Sequence, residues 1–329
     1  MRITLFLVVM LLTTPMIYHS AQTDYSPLFD GERAYDHLVA QCDFGPRPPG
    51  SQNLTNCREY VVDELEALGW IVTLQTFTYL NTQCANIIAS WSSQDPVHFV
   101  LGAHYDTRPY ADQESDSFNR TLPVLGANDA GSGVGVLLEL ARVLPESSRP
   151  KAELVFFDAE DSGNIAGWNW IVGSTHYVAQ LTESQRTNIT GMILLDMVGD
   201  ANLVIPKESS STDNLQDDIW DIAEDLGHSE VFVDRTGSSV LDDHRPFLDA
   251  GIPAVDLIHT PFPWTWHTLH DTPENCAPSS LQVVGEVVET FLVTNSGSYT
   301  VDTSLDIIIV VLVLVPAVMT LAYLFYRQK

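Results

Sequence analysis

Two histidines and a set of carboxylates stand in this chain at places where metal chemistry could use them. His104 and Asp106 lie two residues apart at the end of an apolar run, Phe99 to Gly102. If the strand continues through them, both side chains leave on one face. A carboxylate beside an imidazole is the arrangement that fixes a metal-binding tautomer, with Asp106 orienting the ring from behind. Asp129 follows in Gly126-Ala-Asn-Asp-Ala-Gly-Ser-Gly133, where glycines let the backbone turn sharply and approach closely. Asp158, Glu160 and Asp161 come next, then Asp196, then His267 between Trp266 and Thr268. Imidazole and carboxylate without thiolate suit zinc, and bound zinc polarises a carbonyl and stabilises the oxyanion formed on attack. Of the adjacent pair Glu160 and Asp161, one carboxylate can bind metal while the other moves protons. Read singly, each residue has a plainer explanation. His-x-Asp triplets are common, an Asp after a strand is often a helix cap, and His267 could be a packed core histidine.

The elements that must position these residues repeat one pattern. Val97 to Gly102 leads to His104, Leu154 to Phe157 leads to Asp158, Glu160 and Asp161, and Met192 to Leu195 leads to Asp196. Ala254 to Ile258 leads through a Pro- and Trp-rich loop to His267. In open α/β sheets the functional crevice lies outside the carboxyl ends of the strands, so four strands bring His and carboxylate groups to one edge. Between them, apolar periodicity predicts helices, including Val134 to Leu144. Further upstream the chain reads as a helix over Gly31 to Gln41, a Pro/Gly loop, a helix over Thr55 to Leu68, and strands over Ile71 to Tyr79 and Ala85 to Trp91. The expected class is α/β, with a mixed, mostly parallel central sheet and helices on both faces. Trp168, Trp170, Phe262, Trp264 and Trp266 cluster in two loops at the crevice; they could wall a substrate pocket, and aromatic residues also commonly pack in cores.

Composition bounds the rest. The chain has 329 residues, with 43 acidic against 15 basic side chains and a formal charge of −28. With no basic patch to neutralise phosphates, nucleic acid is excluded as a partner. Residues 1–21 read as a secretory signal, with an uncleaved anchor as the alternative, and 22–293 as the catalytic domain. A small, polar linker over 294–304 precedes a transmembrane helix expected over 305–326, whose uncharged run Ile307 to Phe325 is long enough to cross a bilayer, and 327–329 form a basic tail. The positive-inside rule places that tail in the cytoplasm and the domain outside, anchored by a single C-terminal pass. Cys42, Cys57, Cys84 and Cys276 would then face an oxidising compartment and could form two disulfides, while their spacing argues against structural zinc.

The motifs AHYDTRP, LGANDAGSGVGVLLELAR, FFDAED, LLDMVGD and DDHRPFLDAGIPAVDLI, followed by WHT, resemble in order those of the zinc aminopeptidase family, number twenty-eight among metallopeptidases. That family also contains the glutaminyl-peptide cyclotransferases. The resemblance covers about Gly31 to Val293. It implies a zinc aminopeptidase-like fold, metal positions at His104, Asp129, Asp161, Asp196 and His267, Glu160 as general acid/base, and a strained, cis peptide after Asp129. Within the family, AHYDTRPYADQ, PVLGAND, DDHRPFL and PFPWTWHT are closer to the bacterial-type cyclases. For a cyclase the resemblance implies one zinc on Asp129, Asp161 and His267, with Asp196 and Asp243 forming an acidic network around Glu160. For an aminopeptidase it implies two zinc ions. Either activity takes peptide or protein N-termini as substrate. Two features depart from the pattern: Asp161 stands where the family usually has Glu, and Ser162 to Trp170 is unlike the aminopeptidases. A non-catalytic, receptor-like ectodomain would be expected to lack ligands, and all five positions and the base here carry competent side chains.

Overall fold

The computed structural model describes residues 25–92, 96–295 and 299. The elements run α1 (Gly31–Asp43), α2 (Gln52–Ala67), β1 (Ile71–Tyr79), β2 (Thr82–Ser90), β3 (Phe99–His104), α3 (Gly131–Val143), β4 (Ala152–Phe157) and α4 (Val172–Gln180). They continue through α5 (Glu183–Asn188), β5 (Gly191–Asp196), β6 (Ile205–Lys207), α6 (Asp213–Asp225), β7 (Phe232–Thr236), α7 (Arg245–Asp249), β8 (Ala254–Ile258) and α8 (Pro278–Thr294).

Six strands form the central sheet in the order β1-β2-β4-β3-β5-β8. The β1-β2 hairpin joins β4 antiparallel, and β4, β3, β5 and β8 are mutually parallel. Strands β3 and β5 are buried at every position, which is why their sequences are near-continuous apolar runs without alternation. Their side chains still divide between two cores. Phe99, Leu101 and Ala103 join the larger cluster with residues of α1, α2, α3, α6 and α8, whereas Val100 joins Phe157, Tyr177 and Phe247 on the opposite face. The mixed, mostly parallel sheet with helices on both faces is therefore as expected.

Several sequence expectations need correction. Strand β3 ends at His104, so Asp106 lies in the following loop and its approach to the imidazole is a loop contact. The expected pair of disulfides is not formed: all four cysteines are free and buried. Cys42, Cys57 and Cys276 pack in the larger core and Cys84 in a small cluster with Ala159 and Val172. They serve there as small hydrophobic side chains, and burial pushes the Cys57 thiol up to about 11. Within the expected linker, Tyr299 sets its ring edge-on to Phe99 and tilted against Phe291, and its hydroxyl donates to Asp218 (2.7 Å). The signal and membrane-spanning readings lie outside the described residues. Among the described residues, no helix is long and apolar enough to cross a membrane.

Candidate metal centre

Register brings the site together. In the parallel ladders His104 pairs with Phe157, and Asp196 with Ile258, so the carboxyl ends of β3, β4, β5 and β8 finish level with one another. The chain turns abruptly there: Ala159 before Glu160, Met197 after Asp196, and His267 itself all have φ between +48° and +61°. Positive φ in non-glycine residues costs of order 1 kcal/mol each and persists only where the surroundings impose it. The peptide between Asp129 and Ala130 is cis. At Gly133 a Cβ would lie 2.1 Å from the Leu195 carbonyl oxygen, so only glycine lets the start of α3 press against the end of β5. That contact lets Ser132 Oγ accept from the Val198 N–H (3.0 Å) while donating to the Asn128 carbonyl.

Two donor groups result, sharing Asp129: His104, Asp129 and Asp196 in one, and Asp129, Asp161 and His267 in the other. His104 Nε2 is 3.0 Å from Asp129 Oδ1 and 3.3 Å from Asp196 Oδ1. His267 Nε2 is 3.1 Å from Asp161 Oδ1 and 3.6 Å from Asp129 Oδ2. All five residues are buried. Asp106 Oδ1 faces His104 Nδ1 at 3.6 Å, and its two oxygens accept the N–H groups of Glu160 (3.0 Å) and Asp161 (3.2 Å). One loop carboxylate thus fixes both an imidazole and the backbone under the acidic pair.

The residues fit zinc. Asp161 Oδ2 is buried with no hydrogen-bond partner among the described residues, as suits a ligand oxygen. Three carboxylates held against two imidazoles out of water require compensating positive charge, which a divalent cation would supply. Neither donor group contains a cysteine, and imidazole with carboxylate is a donor set that zinc takes in catalytic sites. Burial alone would depress the His104 pKa; the carboxylates of Asp106, Asp129 and Asp196 outweigh it and hold the ring well above its ordinary value.

Glu160 lies within the same cavity, with Oε2 3.9 Å from His104 Nδ1. Burial, with the charges of Asp161, Asp242 and Asp243, pushes its pKa well above the usual carboxylate range despite the pull of His104. The cavity encloses about 490 Å³, walled on one side by Trp170, Phe262, Trp266 and His267, and on the other by the segment Ser238 to Asp242. His267 lies nearly parallel to both Trp266 (3.8 Å, 22°) and Trp170 (6.2 Å, 10°).

Not every expected pocket residue reaches this cavity. Trp168 packs against Tyr79 beside Cys84 and Val172, and Trp264 is 68 % exposed with its ring against His270. Asp243 is buried behind the wall, its N–H donating to Asp242 Oδ1 (2.6 Å); the adjacent Asp242 is the residue that lines the cavity. A two-residue acidic run offers no local signal for which member faces the site.

Other contributors carry no mark in the sequence. Asp271 accepts from the N–H groups of Asn128 (2.7 Å) and Asp129 (3.1 Å). Asp112 Oδ1 lies 3.4 Å from His267 Nδ1. Arg108 stands over the Trp170 ring at 4.6 Å and donates to the carbonyls of Asp161 (3.3 Å) and Gly163 (3.0 Å). Arg47, fully buried in the Pro/Gly loop, donates to the carbonyls of Leu125 (3.1 Å) and Gly126 (2.8 Å) at the turn before Asp129. Only the tertiary fold shows that these four side chains hold ligand-bearing loops.

Comparison with known proteins agrees with this architecture. The model of peptidase family M28 matches residues 86–292. The chain is 30% identical over 296 residues to the glutaminyl-peptide cyclotransferase-like protein of Bos taurus, covering 76% of this chain and 72% of that one. Among solved structures, Porphyromonas gingivalis glutaminyl cyclase superposes with a TM-score of 0.76 at 33% identity, covering 81% of this chain and 99% of its own. A leucine aminopeptidase precursor from Bacteroides thetaiotaomicron does so with a TM-score of 0.76 at 34% identity, covering 83% and 99%. With its motifs in order on this fold and its site built from them, the chain belongs to peptidase family M28.

Proposed function

We propose that this protein is a zinc-dependent glutaminyl-peptide cyclotransferase that converts N-terminal glutamine to pyroglutamate and releases ammonia. The observation that carries the reading is the pairing of a buried Glu160 with a small cavity faced by Trp170, Phe262 and Trp266. Cyclisation needs no external nucleophile: the substrate's own amine attacks its γ-carboxamide. It gains most from a site that keeps water out and holds the chain folded. The likeness to glutaminyl cyclases in sequence and structure supports it.

Asp129, Asp161 and His267 would hold the metal, which when bound supplies a Lewis acid for the γ-carbonyl oxygen. Glu160 takes a proton from the α-amine as the new C–N bond forms, then returns it to the departing nitrogen as the old C–N bond breaks. Its raised pKa suits a group that must both accept and donate near neutral pH. Asp196 and Asp242 line the same cavity as Glu160, and the charge of Asp242 is among those that raise its affinity for a proton. The indoles of Trp170 and Trp266 hold His267 in place and exclude water.

A second reading has its own observation. The complete His104, Asp129, Asp196 group beside the first is the set that a two-metal aminopeptidase needs, and one similar structure is described as a leucine aminopeptidase precursor. In that reading Glu160 activates a water molecule. We place the catalytic domain outside the cytoplasm, tethered by the C-terminal apolar run; the basic residues Arg327 and Lys329 directly after it support this topology.

The deciding experiment gives the zinc-loaded protein one peptide beginning with Gln and another beginning with Leu, and identifies the products by mass spectrometry. Loss of ammonia from the Gln peptide with the chain intact is expected. Release of free Leu or Gln would replace the cyclase reading with the aminopeptidase one.

A further inference from the structure

Beside the cavity lies a second hollow of about 570 Å³, where the outer strand β1 meets helix α4. Trp170 belongs to the walls of both. Phe77 and Tyr79 supply the strand side, and Thr175 and His176 the helix side. Phe77 and His176 stack with their ring centroids 4.5 Å apart. Burial lowers the His176 pKa below its ordinary value, which favours the uncharged ring. Among the described residues, none that lines this hollow is acidic or basic apart from that imidazole, although the chain carries a formal charge of −28. An uncharged trough on so acidic a molecule accepts apolar groups and offers a charged group no partner.

We propose that this hollow is a subsite for the third and following residues of a peptide whose N-terminus occupies the metal cavity, and that it selects uncharged aliphatic or aromatic side chains. The proposal rests on the reading of the cavity as a site for peptide N-termini. Trp170 supplies the continuity between the two. An extended chain advances about 3.3 Å per residue and an indole is roughly 7 Å across, so two residues cross it and the third enters the hollow. Among the described residues β1 pairs with β2 alone and stands at the edge of the sheet, the position at which an extended peptide can add as a strand. The hollow thus offers an apolar trough for side chains and a strand edge for the main chain.

The test compares Gln-Ala with Gln-Ala-Phe-Leu-Ala on the full-length, zinc-loaded protein, in the natural sequence, in His176→Ala and in Ala179→Trp. Ala179 is exposed on α4 and lines the hollow, so an indole there fills the trough without entering the core. The expected result is a kcat/KM about tenfold higher for the pentapeptide, carried by KM. Both variants should bring that ratio close to one, and Asp in place of Phe and Leu should lower it in the natural sequence. A ratio near one in the natural protein, or an unchanged ratio in both variants, overturns the subsite. If neither peptide releases ammonia, the cyclase reading fails separately, and calorimetric binding of the two peptides to the same three proteins decides the subsite. Pentapeptide binding that is absent, no tighter than the dipeptide's, or indifferent to both substitutions then overturns it.

Discussion

At the scale of single residues, the site separates groups that would hold metal from groups that would move protons or hold other residues. Glu160 and Asp161 are adjacent and both buried, yet only Asp161 touches a histidine of the donor groups through Nε2. Glu160 instead opens on the cavity. Replacing it by Gln preserves shape and removes the proton carrier, so turnover should fall about 10²- to 10⁴-fold with zinc content unchanged. Zinc measured alongside activity checks this, and joint loss of both would make Glu160 a ligand. Asp271 acts at one remove, through the N–H groups of Asn128 and Asp129. Asp271→Ala leaves those donors unpaired and frees the Asp129 loop to move. Zinc affinity, titrated against a competing chelator, is expected to drop roughly 10- to 100-fold.

At the scale of elements, the ends of the parallel strands supply part of the cavity and one connection supplies another wall. The segment Ser238 to Asp242 between β7 and α7 is that connection, and Glu208, just after β6, pins it. The buried Glu208 carboxylate accepts from the N–H groups of Val240 (2.9 Å), Ser210 (2.9 Å) and Ser211 (2.7 Å), and lies 3.5 Å from His244 Nε2. Burial opposes its ionisation, but His244 and these donors prevail and hold its pKa down to about 2. A carboxylate depressed in the folded state stabilises the protein fully above its unfolded pKa and loses that contribution as pH falls toward the folded value. For Glu208 the window runs from about pH 4.5 down to about pH 2, and the contribution is of order 3 kcal/mol. Glu208→Gln should therefore flatten the loss of stability between about pH 5 and pH 3, read by urea unfolding at each pH. It should also raise KM several-fold while kcat and zinc content hold, because the wall loosens and the donor groups do not. An unchanged KM would show that the loop keeps its place without this carboxylate.

At the scale of the whole molecule, charge is the dominant unbalanced term. With 43 acidic and 15 basic residues, most surface carboxylates have no cation to pair with. The exposed pairs that do form, such as Arg33 with Asp30 and Arg245 with Asp249, contribute about 0–1 kcal/mol each. Self-repulsion therefore outweighs surface pairing, and screening it should stabilise the fold. Raising NaCl from about 0.05 M to about 1 M is expected to increase Tm by several degrees, measured by calorimetry. A falling Tm would mean that ion pairs lost to screening matter more than the repulsion relieved.

The α/β class and the strand ends, with the His and carboxylate groups they carry to one edge, were legible because each depends on short stretches of chain. A buried parallel strand needs an uninterrupted apolar run, and a polar residue directly after it has nowhere to go but the sheet's carboxyl edge. Ala254–Ile258 was readable to the residue for that reason, and the half-exposed edge strand Ile71–Tyr79 by its alternation instead. Contacts between distant segments were not. Trp168 and Trp170 are two residues apart, yet one packs on Tyr79 and the other stacks on His267; Gly163, where a Cβ would strike the Trp170 indole, gives that ring its seat. Asp242 faces the cavity and Asp243 lies behind it, a choice made by the direction of one turn. Cysteines that composition would pair stay free and are buried as part of the core packing. Local pattern determined which elements form and which chemistry stands at their ends. Tertiary packing alone decided which side chains share a cavity, because that depends on how segments far apart in the chain exclude one another from the same space.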